Sequence, residues 1–187
     1  MAATIAGLNA AQQTYADLIF REFAAAGYSA AVGAAAVVNA YAESGLNPNA
    51  VGDGGRSVGL FQLHERGGGA GMSVEQRKDP VQNTRRIIEE ANRAAGFRAV
   101  AAVSNDIPAL AAAFSTYVER PADKVGAEAT RRALAQRFFP AGVSSVPAPY
   151  ADAGRSTYWW VALGAVAIVS VAILRPFWSS DEHGGEA

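Results

Sequence analysis

Glu43 stands at the end of an apolar run, AVGAAAVVNAYAES, and a Gly-, Asn- and Pro-rich stretch, GLNPNAVGDGGRSVGLFQ, follows it as far as Gln62. A lone carboxylate in the last turn of an apolar helix meets three effects that favour its protonated form: apolar surroundings, the negative end of the helix dipole, and partial exclusion of water. A carboxylic acid that keeps its proton near neutral pH can donate it to the leaving oxygen of a glycosidic bond. The same position also suits a solvent-facing glutamate ahead of a C-cap glycine, since perturbed carboxylates only sometimes mark sites. Asp53, between Gly52 and Gly54, is a candidate second carboxylate. Glycine neighbours let such a backbone adopt positive φ and come close to a ligand; Asp-Gly is equally a turn signal.

Other chemistries are narrowed by composition. The chain has no cysteine, so it has no disulfide framework, thiolate nucleophile or thiolate metal site. His64 and His183 are the only histidines and lie in different contexts, which argues against a zinc site or a Ser/His/Asp triad. No metal and no cofactor are expected. With a net charge of −1 and scattered basic residues, no stripe suggests a nucleic-acid groove. Carboxylates, amides and hydroxyls must carry the chemistry.

The elements that would position Glu43 are helical. Asn9 with Gln12 reads as a capping pair for a first helix ending at Gly27, with Tyr15, Leu18, Ile19 and Phe23 as its buried stripe. Ser29 opens a second helix, apolar on nearly every face, which Gly45 ends as a left-handed cap. A helix apolar all round belongs in the middle of a core. Residues 46–72 read as a long loop with a short hairpin around Val58–Leu63, and loops of that length in a compact domain are usually functional or disordered. Ser73 with Gln76, and Asp79-Pro80 with Gln82, mark two helix starts, the second running to Gly96. Further helices are expected from Asp106 to about Val118 and from Asp123 to Phe139, with Arg120-Pro121 between them and Pro140 as the stop.

The C-terminal part is different. Residues 141–155 are rich in Pro, Ala and Gly and read as an extended linker. From Ser156 to Leu174 about 19 residues carry no charge, enough to cross a bilayer. Tyr158, Trp159 and Trp160 at one end and Phe177 and Trp178 at the other resemble an aromatic belt. The expected organisation is a mainly α domain over 1–140, a linker over 141–155, a transmembrane helix over 156–178 and a short polar tail over 179–187. The N-terminus lacks the basic and apolar regions of a secretory signal.

The pattern Glu43-Ser44-Gly45-Leu46-Asn47-Pro48-Asn49-Ala50, followed by Gly59-Leu60-Phe61-Gln62, resembles the lytic-transglycosylase and phage-lysozyme family of the lysozyme superfamily. The match is closest to the phage virion and tail lysozyme branch, where a later box like Phe114-Ser115-Thr116-Tyr117-Val118-Glu119-Arg120-Pro121 also occurs. Together the motifs span roughly residues 10–140. The resemblance implies a lysozyme-like helical domain with a small loop or β-hairpin region. It makes Glu43 the general acid and Ser44 the residue that follows it, with Gln62 lining the sugar groove. Gly59 becomes a turn that lets backbone approach substrate, and Tyr117 the late tyrosine that contacts the glutamate. Tyr117 stands in Y-V-E-R-P instead of the family's A-Y-N-A-G context. Taken singly, Gln62 also suits an ordinary strand amide, Tyr117 a core aromatic and Gly59 a plain turn.

The substrate implied is peptidoglycan, cut at the β-1,4 MurNAc–GlcNAc bond. Either Asp53 holds a water or forms an adduct, giving hydrolysis, or Glu43 acts alone and draws the proton from the muramic C6 hydroxyl, giving a 1,6-anhydro product. The second is slightly favoured because the motif requires no acidic partner. His64-Glu65-Arg66 and the glycines of 67–71 suit a mobile lip over the cleft, with Arg66 meeting peptide or lactyl carboxylates. Glu119 is a rival carboxylate, or else one half of a local ion pair with Arg120. An anchor without a signal is coherent in a virion protein of a membrane-containing bacteriophage that opens the wall of the next host during genome entry. Its partners would be glycan strands, the lipid membrane and other virion proteins. A membrane-tethered endolysin acting at lysis and a non-catalytic, glycan-binding virion protein are the alternatives.

Overall fold

The structure is a computed structural model that describes residues 4–142 together with Val146 and Tyr150. The expected transmembrane helix and polar tail lie outside these residues. No helix among the described residues is long and apolar enough to cross a membrane.

Helix α1 (Ala10–Ala25) begins at a full capping box between Asn9 and Gln12. Its buried face is Ala16, Ile19, Phe20 and Phe23, whereas Tyr15 and Leu18 are only half-buried. The expected stripe was therefore rotated, and Phe20 was missing from it. The reason lies in helix α2 (Ala30–Ser44), whose residues Ala30 to Ala40 are all buried. Small side chains on every face let α1 and two later helices approach α2 closely, and Phe20 fills the space this leaves. Ser29 caps the start of α2, and Gly45, in the left-handed region at φ 65°, ends it.

The loop that follows is tightly built. Strands β1 (Val51–Gly52), β2 (Ser57–Val58) and β3 (Leu63–His64) form an antiparallel sheet in the order β1-β2-β3. Val58 pairs with Leu63, the expected hairpin, and Val51 pairs with Val58 on the other side. A single 3-10 turn at Asp53–Gly55 joins β1 to β2.

Helices α3 (Val74–Lys78) and α4 (Pro80–Arg93) start at Ser73 and Asp79, where the capping signals stand. Helix α4 does not run to Gly96. It stops at Arg93, Ala94 takes an extended conformation, and α5 (Ala95–Val103) sets off anew. The break buries Phe97 completely and brings Gly96 under the ring of Tyr117, so close that a Cβ on Gly96 would lie 2.6 Å from two ring carbons. Helix α6 (Ile107–Phe114) gives way to one π turn at Ser115–Glu119, and α7 (Lys124–Phe138) follows. Phe23, Phe61, Phe97 and Phe114 form a run of aromatic contacts with centroids 5.1–6.1 Å apart, within the range where edge-on and offset rings attract. Val146 and Tyr150, in the stretch read as linker, rest on the domain, Tyr150 stacked on Phe20 with centroids 4.7 Å apart.

Candidate functional site

Glu43 occupies the last turn of α2, with 27 % of its side chain exposed. One turn earlier on the same face is Asn39, fully buried, whose amide donates to the carbonyls of Ala35 (2.8 Å) and Ala111 (3.1 Å). That leaves the Asn39 Oδ1 oxygen fixed, and it accepts from Arg131 Nε of α7 at 3.0 Å. The far end of the same guanidinium, Nη2, donates to Glu43 at 2.5 Å and to Glu119 at 3.1 Å. Arg131 is 8 % exposed and Glu119 7 %. Two carboxyl groups and one cation thus meet at a nearly dry junction of α2, α7 and the π turn.

Burial raises the pKa of both carboxyl groups, making each a weaker acid. For Glu43 desolvation is the largest influence, opposed by the charge and hydrogen bond of Arg131, and Asp53 adds a weak push upward. Glu119 is pushed up to about 8, first by burial and then by the charge of Glu43, again against Arg131. Loss of water disfavours the ionised form more than a single shared cation can restore it. Of the two readings of Glu119, the local ion pair with Arg120 is the one that fails. Arg120 reaches Glu90 of α4 at 3.6 Å, and Glu119 turns inward to Arg131.

The π turn explains that inversion. A wider turn shifts the inward face one position along the chain compared with an α-helix. Ser115 and Val118 are buried and Glu119 points inward, while Tyr117 is 46 % exposed. Tyr117 lies over Gly96 and is not among the residues lining the cleft at Glu43.

That cleft has a volume of about 340 Å³. Phe61, Ile87, Val118 and Pro121 give it apolar walls, and Glu43, Gln62, His64, Glu90, Glu119 and Arg120 supply polar groups. Gly67 and Gly68 form part of its rim. This lip is tied down: Gly67 and Gly69 both donate to the His64 carbonyl at 2.9 Å, and Arg86 Nε donates to the Gly68 carbonyl at 2.6 Å. Arg66 is exposed and not a lining residue; Arg120 is the arginine that faces the cleft.

The remaining expected residues hold the loop in shape. The Ser44 hydroxyl donates to the Leu60 carbonyl at 2.8 Å and accepts from the Asn47 amide at 3.3 Å, fastening the loop to the end of α2. Gln62 lines the cleft with its backbone at φ 43°, and its amide group donates to Ala50 (3.1 Å) and Gly59 (3.0 Å). Gly59, at φ 89°, is buried away from the cleft. A Cβ there would sit 2.1 Å from the Arg77 carbonyl and 2.4 Å from the Asn83 amide nitrogen. Asn83 in turn accepts from the Phe61 amide (3.0 Å) and donates to the carbonyls of Val58 (3.2 Å) and Arg77 (2.7 Å). Asp53 is exposed at φ 49°, and its carboxylate accepts a hydrogen bond from Ser57.

Sequence reasoning missed Arg131, Asn39 and Asn83 as parts of this arrangement. Two of them left a signal: Asn39 is a polar residue in an otherwise apolar helix one turn before Glu43, and Arg131 shares the helical stripe of Ala135 and Phe138. Residues 14–141 match the family model described as phage tail lysozyme. No curated protein matches the chain.

Proposed function

The chain belongs to the phage tail lysozyme family, and from that premise we propose that it cleaves the β-1,4 bond between N-acetylmuramic acid and N-acetylglucosamine in peptidoglycan, with Glu43 as the acid. The observation that carries the reading is Glu43 itself: a half-buried carboxyl group in the wall of an open cleft, its acidity weakened by desolvation. The proton passes from Glu43 to the glycosidic oxygen, the bond to the muramic C1 breaks, and positive charge develops on that sugar ring. Glu43, now a carboxylate, then takes the proton of the muramic C6 hydroxyl as its oxygen closes on C1. The product is a 1,6-anhydro ring, and Glu43 regains its proton.

This one-carboxylate route is supported by the placing of Asp53, which is exposed and not among the residues lining the cleft. One observation favours the hydrolytic alternative: Ser57 orients the Asp53 carboxylate, and Glu43 feels its charge. Mass spectrometry of muropeptides released from purified sacculi separates the two. Anhydro-muramic ends support the first route, and reducing ends support a water guided by Asp53. Glu43→Gln should lose about 10²-fold or more of the clearing activity, as removal of a general acid does. Equal clearing by both proteins would return the chain to the non-catalytic, glycan-binding reading.

We read residues 156–178 as a membrane anchor and the protein as a particle component used at genome entry. The length and charge-free character of the 156–174 core support the anchor, and the family supports a virion setting. Detection in purified particles is expected. Detection only in lysing cells would favour the tethered endolysin.

A further inference from the structure

We propose that Glu119 is a positioning residue for this reaction: through the Arg131 guanidinium that both carboxyl groups share, it keeps one proton on the Glu43–Glu119 pair at neutral pH, so that Glu43 meets the glycosidic oxygen as an acid. The proposal rests on Glu43 being the acid and adds how its proton is retained.

Three geometric facts carry it. Glu43 and Glu119 accept from the same nitrogen of Arg131, so one positive charge faces two carboxyl groups in a site where Arg131 and Glu119 are almost dry. A net buried charge is costly, and retention of one proton makes the trio neutral. The Glu119 Oε1 oxygen is buried without a hydrogen-bond partner among the described residues, which a neutral carboxyl group tolerates far better than an anion. Finally, Arg131 cannot swing away to serve one carboxylate alone, because its Nε is held by Asn39, itself locked to two carbonyls.

The surrounding charges leave this balance intact. From α7, Glu128 is engaged by Thr116 at 2.6 Å. From α4, Glu90 is met by Arg86, Arg93 and Arg120. Helix α6 has no titratable side chain, and α5 has only Arg98. His64 also lines the cleft, and Asp53 acts on Glu43 weakly from outside it. In the reaction the shared proton leaves through Glu43, the more exposed member. The pair is then doubly ionised beside one arginine, which makes it a strong base for recovering a proton in the second half of the cycle.

The test uses the full chain, its Glu119→Gln variant and purified sacculi. In wild type the clearing rate should fall on the alkaline side only as the pair loses its last proton. In Glu119→Gln the group beside Glu43 can no longer hold a proton in common with it, and Arg131 serves Glu43 alone. The alkaline limb should move down by about one pH unit or more, while the rate near pH 5 stays within about threefold of wild type. An unmoved limb, or an equal loss at every pH, would overturn the proposal, because a structural role predicts one of these. A ¹³C-carboxyl NMR titration of wild type reads the same point without turnover and without a folded variant. One glutamate carboxyl should titrate above pH 6, and two titrations finished below pH 5 would reject the shared proton. Glu43→Gln clearing sacculi normally would instead reject Glu43 as the acid, while leaving the titration to judge the pair.

Discussion

Arg131 carries one positive charge between two carboxyl groups, and that imbalance makes the fold pH-sensitive. Glu119 is raised from 4.5 to about 8 in the folded chain, so between these values the folded state binds more protons than the unfolded one. Stability is therefore fullest below about pH 4.5 and declines as pH rises to about 8, with a slope of at most about 1.4 kcal/mol per pH unit for one proton. Glu43 is shifted in the same direction. Thermal melts across this range should show the decline in wild type and a flatter profile in Glu119→Gln. Replacing Arg131 by Met removes the cation and leaves the buried Glu119 and the half-buried Glu43 without it. Urea unfolding should show a loss of about 3–5 kcal/mol at pH 8, and a clearly smaller loss at pH 5, where both carboxyls can hold protons.

At the scale of elements, the loop between α2 and α3 keeps its shape through buried backbone contacts instead of a large sheet. Two glycines with positive φ separate backbone freedom from close packing. A methyl group at Gly45 would meet open space, so Gly45→Ala should cost only the left-handed penalty, about 1 kcal/mol. At Gly59 the same methyl would collide with the Arg77 carbonyl. Gly59→Ala should therefore cost about 3 kcal/mol or more, and it should depress clearing activity, because Arg77 and Asn83 hold the loop that bears Phe61 and Gln62. Chemical denaturation of the two variants side by side checks the contrast. The π turn is the other decisive element: continued as an α-helix, the segment would turn its inward face to Tyr117 and Val118 instead of Val118 and Glu119.

For the molecule as a whole, the described residues fall within a first compact unit that ends at Gly154. A chain ended after Gly154 should keep the melting temperature of the first unit and its clearing of sacculi. A chain ended after Gly142 loses Tyr150 from Phe20 and the buried Val146. It should be less stable by about 2–4 kcal/mol, judged from the apolar surface exposed. If residues 156–178 anchor the protein, carbonate-washed membranes should retain the full chain and release the one ended at Gly154.

Local signals determined much of this protein. Caps at Asn9, Ser29, Ser73 and Asp79, and the left-handed glycine at Gly45, depend on neighbours a few residues away, so helix starts and the end of α2 were legible in the sequence. So were Glu43 at the tip of a core helix, the Val58–Leu63 pairing and the family to which the chain belongs. What the tertiary structure alone decided is how distant residues meet. The break at Ala94 brings Gly96 beneath Tyr117, and the π turn sets which side of that segment faces in. Most of all, Arg131 lies 88 positions from Glu43 and 12 from Glu119. No spacing rule links those three. Packing α7 against α2 brings them together, and their shared burial, a property of the folded chain, sets where their protons reside.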